Sequence, residues 1–363
     1  MKILFLPNWK VECCDKAPDD KQPPDYYVKG QSYWFFRYFD KQPQVDIIDI
    51  SSFPWLENFE KNGIRFYIWQ ALRAIPKLNR YDLVISHGMQ SGVVVSLWRR
   101  LFGTKSRHIV FDIGAFNSAA ESGAALKLMQ FASKSIDGII YHTSSQKSYY
   151  QNFFSWIVPK SRFIRFGTDA EFFCAMQKEK SKDAANGESS NARSGQPYCV
   201  CIGYNKRDWD TVVKAFQIAG PANLTLRLIG HVSDDYKGIK NIEQIPFIPV
   251  KDMITQIRGA EFGILPLKSY NYSYGQMTLL QQMALGKCVI ASRVPSLVDY
   301  AEDGKTAIFY EPENTADLAE KISLLCSNAE LRNQIGQNAS GFVMNDCNER
   351  IMAKEIEGFL KQR

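Results

Sequence analysis

"YSYGQMTLLQQMALGKCVIAS", Tyr272 to Ser292, reads as a loop, a helix of about ten residues led by Gly275, and a buried strand. Gly275 allows close backbone approach, and Gln276, Met277 and Thr278 present the N–H groups of a helix's first turn, a natural seat for an anion. The same residues also suit an ordinary amphipathic helix with a glycine before it. What surrounds the stretch has to decide.

Outward from it, short apolar runs alternate with amphipathic segments. "VDIIDI", "DLVIS", "RHIVFD", "DGIIY" and "RFIRF" read as buried strands in the first half, and "YCVCI", "LTLRLI", "EFGILPL", "CVIAS" and "TAIFY" in the second. Continuous apolar runs separated by helices indicate parallel sheets covered on both faces. The expected fold class is therefore α/β, with two doubly wound Rossmann-like domains. The 363 residues suit two domains at ~150 residues each. Lys178 to Gln196, poor in apolar residues and rich in Ser, Asn, Lys and Gly, cannot order itself by burial. It marks a linker at 178–196 between domains at 1–177 and 197–345, with a C-terminal helix at 346–363 free to pack back on the first.

Composition excludes several classes. No window approaches the ~18 apolar residues that span a bilayer, and "MKILFLPNWK" reads as a first buried strand, too short a run for a secretory leader. Eight cysteines show no C-x-x-C pair and no histidine at metal spacing, so they read as reduced thiols of a cytoplasmic protein, and no metal is expected. Neither a Walker A loop nor a G-x-G-x-x-G occurs, which argues against an NTPase or a dinucleotide enzyme. Between Lys61 and Arg107 nine basic residues face one acid, Asp82. Interleaved with aromatic residues in "IRFYIWQALRAI" and "VSLWRRLF", they suit either an anionic bilayer surface or a solvated face over an ordinary core. No recognition motif for nucleic acid accompanies them.

In open parallel sheets ligands bind beyond the carboxyl ends of the strands. The residues just after the strands are His87, Asp112, His142 and Gly167 with Asp169 in the first half. In the second they are Gly203, Lys206 with Arg207, Gly230 with His231, and the loop from Lys268 to Gln276. Lys206 and Arg207 sit beside the start of "TVVKAFQIA", where a guanidinium fork matches phosphate oxygens, although Asp208 as N-cap would leave both as solvated charges.

"GQMTLLQQMALGKCVIAS" followed by "VPSLVDYAEDGKTAIFYEPENTADLAEKI" resembles the donor-binding half of glycosyltransferase family 4, retaining enzymes of the GT-B fold, whose two domains face a central cleft. "RFGTDAEFF" from Arg165 is similar to the family's I-P-N-G-V-D-x-x-x-F, and "GYNKRDWDTVVKAF" to its G-R-x-x-x-x-K-G-x-x-x-x-x-x-A-F, two residues shorter. The resemblance is strong from Gly203 to Ile322 and loose before residue 80. It places Arg207 on the phosphate-binding Lys, with Lys206 beside it, and Gly275, Gln276, Met277 and Thr278 on the helix start that holds the distal phosphate. His87, in "DLVISH", matches a histidine near the transferred sugar, and Asp112 stands where a histidine or aspartate faces the acceptor, with His142 and Asp169 on that side. Gly203, Ser273, Tyr274 and Gln281 fall at the ribose and sugar.

One departure stands out. The family's paired glutamates, eight positions apart, are here Ser273 and Gln281. Gln281, at the border of a face formed by Met277, Leu280 and Ala284, keeps an acceptor for a ribose hydroxyl but loses the charge that makes such a bond about twice as strong. The resemblance implies a retaining hexosyltransferase that uses a nucleotide diphosphate sugar and no cofactor, in polysaccharide or glycolipid assembly. Its acceptor would be a saccharide or lipid-linked, at the inner face of the membrane. The alternative is a non-catalytic scaffold that keeps the fold.

Overall fold

Fourteen short strands carry the architecture of the computed structural model, which describes residues 1–18, 21–64, 66–114, 121–173, 196–203, 206–270 and 272–362. The chain forms two units. The first comprises Met1–Arg165, Asn271–Tyr274 and Met352–Arg363, the second Phe166–Tyr270 and Gly275–Ile351.

In the first unit the strands are β1 (Lys2–Leu6), β2 (Glu12–Cys14), β3 (Tyr26–Val28), β4 (Gln44–Ile47), β5 (Leu83–His87), β6 (Arg107–Asp112), β7 (Gly138–Tyr141) and β8 (Ser161–Phe163). Six of them form a parallel sheet in the order β4-β1-β5-β6-β7-β8. The apolar runs are continuous because both faces are covered. Leu4 and Leu6 of β1 pack with Ala71, Ala74, Leu78 and Val95, while Phe5 between them meets Trp9, Tyr33, Trp34 and Phe36.

The second unit repeats the plan with β9 (Tyr198–Ile202), β10 (Thr225–Ile229), β11 (Ile242–Ile245), β12 (Gly263–Leu265), β13 (Val289–Ser292) and β14 (Ile308–Tyr310), ordered β11-β10-β9-β12-β13-β14. The helix expected after Gly275 spans Gln276–Ala284. In each sheet the chain first builds outward on one side and then returns to the other, so the order reverses between β1 and β5 and between β9 and β12. Connecting loops diverge at such a point and leave a crevice at the carboxyl ends of the strands.

Two expectations change. The boundary lies between Arg165 and Phe166, ahead of the segment 178–196, which except for Gln196 falls outside the described residues. The cause is local. The Phe166 N–H donates to the Tyr300 hydroxyl at 2.9 Å, and Thr168 and Glu349 exchange main-chain bonds with each other's neighbourhood, so the chain has joined the second unit before the linker begins. The second unit is also interrupted, since Asn271–Tyr274 group with the first. Tyr272 lies so close to Gly114 that a Cβ there would sit 2.7 Å from the tyrosine's own Cβ.

Two further elements had no continuous apolar run to announce them. β11, "IEQI", is an edge strand whose alternating pattern leaves Glu243 in water, and β2 with β3 form a small sheet of their own. The C-terminal helix Glu349–Lys361 belongs to the first unit from Met352 onward, where Glu357 accepts from the Asp40 N–H at 3.1 Å and Leu360 accepts from Arg107 at 3.0 Å.

Candidate functional site

The second unit's crevice is built around one arginine. Gly203 ends β9 at φ +140°, and a Cβ there would lie 2.5 Å from the Arg207 Cζ, so only glycine lets the guanidinium fold back over the strand end. Arg207 then donates through Nε to the Ile202 carbonyl at 2.9 Å and through Nη2 to the Thr278 hydroxyl at 3.1 Å. Thr278 lies in the first turn of the helix Gln276–Ala284, which has no acidic residue there and no side-chain cap. Gly275 supplies the left-handed N-cap at φ +81°, where a Cβ would meet Leu267 Cδ1 at 2.5 Å. Gly203, Arg207, Gly275 and Thr278 are thus gathered at the reversal between β9 and β12. A fixed guanidinium and a helix start side by side make an anion cradle.

Lys206, beside Arg207, adopts φ +60° and sets its ammonium 4.9 Å from the Tyr270 ring. Partial desolvation pulls its pKa below the usual lysine range. Asp208 is indeed an N-cap, accepting from the Thr211 N–H at 3.3 Å, yet its capping does not release Arg207 to solvent. Gln276 and Gln281 are buried, and the Gln281 side chain makes no hydrogen bond among the described residues. Met277, expected on the apolar face, is instead 38 % exposed; Leu279, Leu280, Met283 and Ala284 carry the packing. Ser273 and Tyr274, expected with the donor residues, group with the first unit, where the Tyr274 ring lies 5.3 Å from that of Tyr272. Asp169 belongs to the second unit and accepts from the Phe172 N–H at 3.2 Å, the work of a helix-capping carboxylate.

Among the described residues no three His, Cys, Asp or Glu side chains are placed to hold a metal ion.

In the first unit the three strand-end residues separate in kind. Asp112, expected to face an acceptor, is fully buried, and its carboxylate is committed inside the unit. Oδ1 accepts from the Gly114 N–H at 3.0 Å, while Oδ2 accepts from the Tyr150 hydroxyl at 2.5 Å and from Gln146 Nε2 at 3.2 Å. His142 is likewise buried, with Nδ1 2.7 Å from the Ile164 carbonyl. Both are bound into the first unit by these hydrogen bonds, whereas the resemblance places them on the acceptor side. His87 differs, because it is 5 % exposed and neither ring nitrogen is hydrogen-bonded among the described residues. The rings of Trp9, Phe111 and Trp34 enclose it at 4.7, 5.5 and 5.7 Å.

Burial depresses both histidines, His87 to about 3, helped by its neighbour His142, and His142 to about 4. Once unfolded, each takes up a proton near the ordinary histidine value of 6.5. The unfolded chain therefore binds more protons between that value and the folded pKa, and stability falls as pH falls through the window. Chemical denaturation from pH 7.5 to 4.5 should show a level unfolding free energy down to about pH 7 and a decline below it. A profile that stays level to pH 4.5 would contradict the buried neutral imidazoles.

The strand-end reading missed Trp9 and Trp34, whose rings enclose His87, and Asn8 and Gln90, which meet at Gly88 beside it. The signal was available in "PNWK" straight after β1, a position treated only as the end of a strand.

Residues 190–342 match the family model described as glycosyl transferases group 1. The chain is 29 % identical over 127 residues to an uncharacterized glycosyltransferase of Methanocaldococcus jannaschii, a match covering 35 % of each chain. It is 30 % identical over 92 residues to the D-inositol 3-phosphate glycosyltransferase of Corynebacterium kroppenstedtii, covering 25 % of this chain and 20 % of that one. These matches thus span about a third and a fifth of the relatives' own lengths. Over its whole length the fold superposes on the crystal structure of Anabaena HepE in complex with UDP-glucose, with a TM-score of 0.71 at 13 % identity and full coverage of both chains. The two-sheet plan is that of GT-B glycosyltransferases.

Proposed function

We infer, for a chain whose residues 190–342 match the family model described as glycosyl transferases group 1, transfer of a sugar from a nucleotide diphosphate sugar to an acceptor hydroxyl, with retention at the anomeric carbon. The observation that carries this is the guanidinium of Arg207, held over Gly203 and bonded to Thr278 at an uncapped helix start. The diphosphate lies in that cradle, with Lys206 adding charge from the side. As the glycosidic bond to the leaving oxygen breaks, negative charge grows on the diphosphate, and donors fixed before the reaction stabilise it without reorganising. The departing phosphate takes the acceptor's proton on the same face, so no side-chain nucleophile is needed. Because the protein supplies the positive potential, no metal is called for. The side chain of the buried Gln281, with no hydrogen bond among the described residues, offers its amide oxygen to a ribose hydroxyl. The UDP-glucose complex of Anabaena HepE supports the donor class. Thermal unfolding with nucleoside diphosphates, wild type against Arg207→Ala, tests the reading.

A second reading, a non-catalytic relative, is favoured by Ser273 and Gln281 standing where the resemblance places glutamates. A protein that binds nucleoside diphosphates but neither transfers nor hydrolyses any nucleotide sugar would establish it.

The first unit also carries a membrane-facing patch in this reading. The basic stretch from Lys61 to Arg107 is not one face: Arg73 pairs with Asp49, Arg99 with Asp137, and Arg107 donates to Leu360. Lys77, Arg80, Arg100 and Lys105 are exposed, and Arg100 sits 5.5 Å over the Phe131 ring in a unit that also exposes Leu101, Phe102 and Leu128, each at least 40 %. Exposed apolar side chains among arginine and lysine suit an anionic lipid surface. Among the described residues no helix is long and apolar enough to cross a membrane. The protein should pellet with phosphatidylglycerol vesicles at low salt and be released as salt rises, with Phe102→Ser and Arg100→Glu each weakening it. Absence of salt-sensitive pelleting would remove the lipid contact from the picture.

A further inference from the structure

β4 is the outermost strand of the first unit's sheet, and among the described residues it pairs with β1 alone. Gln44 and Ile48 direct their N–H groups to the Met1 and Phe5 carbonyls, both at 3.1 Å, so Val45 and Ile47, one residue out of phase, present N–H and C=O on the side away from β1. A bare strand edge is a template for a further chain, and native proteins usually blunt or cover it. This edge instead opens into a cavity of about 590 Å³, a volume in the range of ligand sites.

The consecutive residues from Val45 to Asp49 line one side of the cavity, and Val11, Cys13 and Tyr27 line another. Val11, Tyr27, Val45 and Ile47 are each half-buried, which leaves apolar surface for the side chains of an entering segment. Charge is placed as well. Asp49 accepts from the Val11 N–H at 3.0 Å and the Ser51 N–H at 3.1 Å and faces Arg73 at 3.8 Å, while Asp46 accepts from the Tyr81 hydroxyl at 2.7 Å, so both acids of the lining are engaged. Lys77, also in the lining, is exposed and makes no hydrogen bond or ion pair among the described residues. Arg73 reaches Asp49 and Tyr81 reaches Asp46, which sets Lys77, between them in the chain, alongside β4.

We propose that this groove binds an extended peptide segment of a partner protein, which adds to β4 as a further strand, exchanges main-chain hydrogen bonds with Val45 and Ile47, and sets an acidic side chain against Lys77. Strand addition draws affinity from the backbone and specificity from the surfaces that alternate side chains meet. Here Val11 and Tyr27 supply an apolar surface and Lys77 a positive one. A second copy of this chain is the poorer occupant, because the acids its own β4 would bring, Asp46 and Asp49, are already engaged and leave Lys77 unanswered. The proposal concerns the sheet edge and does not rest on sugar transfer.

Selection of phage-displayed random octapeptides on the full-length protein tests this, with the enriched peptides then synthesised carrying a fluorophore for polarisation assays. Enriched sequences should alternate β-branched or aromatic residues with polar ones and carry Asp or Glu. Binding should be lost in Val45→Pro, which removes an outward N–H and leaves the ladder to β1 in place, a change that edge strands tolerate. Lys77→Glu should weaken the acidic peptide roughly tenfold and recover binding when the peptide's acid is replaced by lysine. Cys13, exposed in the groove, should react more slowly with iodoacetamide when the peptide is bound, as read by mass spectrometry. Lys77→Glu should keep the wild-type thermal midpoint, so it decides the matter even where Val45→Pro fails to fold. Peptides that bind Lys77→Glu unchanged, or that bind without slowing Cys13, occupy another surface and overturn the proposal, as does a library from which nothing enriches. A dimer in sedimentation that Val45→Pro dissolves makes a second copy the occupant and overturns the partner peptide.

Discussion

Replacing Arg207 with alanine is expected to abolish stabilisation by nucleoside diphosphates and to lower sugar transfer by roughly 100- to 1,000-fold, the loss typical of a preorganised donor to developing negative charge. A ligand at 100 times its Kd adds about 2.7 kcal/mol to the wild type. For units of this size that raises the midpoint by roughly 2–4 °C per kcal/mol. The prediction is strong because Arg207 has two tasks. Its Nε bond to Ile202 fixes the strand end, and its Nη2 bond to Thr278 ties that end to the helix start. Removing it takes away both the charge and the link between the two halves of the cradle. Arg207→Lys keeps the charge without the fork and should recover only part of the midpoint shift. The assays belong in a chelator, because this account draws its positive potential from the protein. A midpoint shift of wild-type size in the alanine variant would place the diphosphate elsewhere in the second unit.

Asp112→Asn should be the most destabilising single-atom-scale change in the first unit, costing about 3 kcal/mol. Each carboxylate oxygen accepts from at least one donor, the Gly114 N–H on one side and the Tyr150 hydroxyl with Gln146 on the other. Asparagine can offer an oxygen to only one side, so its NH2 group must face a donor with no room to move in a fully buried site. The loss corresponds to a midpoint fall of roughly 6–12 °C. Nucleoside diphosphate binding by the folded protein should be unchanged, since the cradle is in the other unit. Normal stability with a selective loss of transfer would restore Asp112 to the acceptor side and contradict the structural role given to it here.

The same contrast runs through the other expected site residues. His87 and Asp112 look alike in sequence, each a polar residue ending an apolar strand. The difference between them is made by Tyr150, Gln146 and Gly114, which satisfy Asp112, whereas among the described residues nothing satisfies His87. Trp9 and Trp34 escaped notice for a related reason. An isolated tryptophan near an apolar strand is ordinary core, and only the pairing of β1 with β5 brings these two onto a histidine.

Local chemistry settled much in advance. Alternation of apolar runs with amphipathic segments is enough to specify parallel sheets, since a strand buried on both faces has no polar position to spare. Gly275 before the helix and Gly203 after β9 were legible as well, because a left-handed cap and a close approach each exclude a side chain. What required the folded chain was everything that depends on partners distant in sequence. The boundary moved ahead of the polar linker because Tyr300 and Asn348, more than a hundred residues on, capture Phe166 and Thr168. The basic stretch dissolved into separate roles once Asp49, Asp137 and Leu360 claimed three of its arginines. Sequence determined the two sheets and the glycines of the anion cradle, whose causes lie within a few residues; tertiary structure decided which polar groups are spent on the fold and which remain for a ligand, because hydrogen bonds are allotted only when distant segments meet.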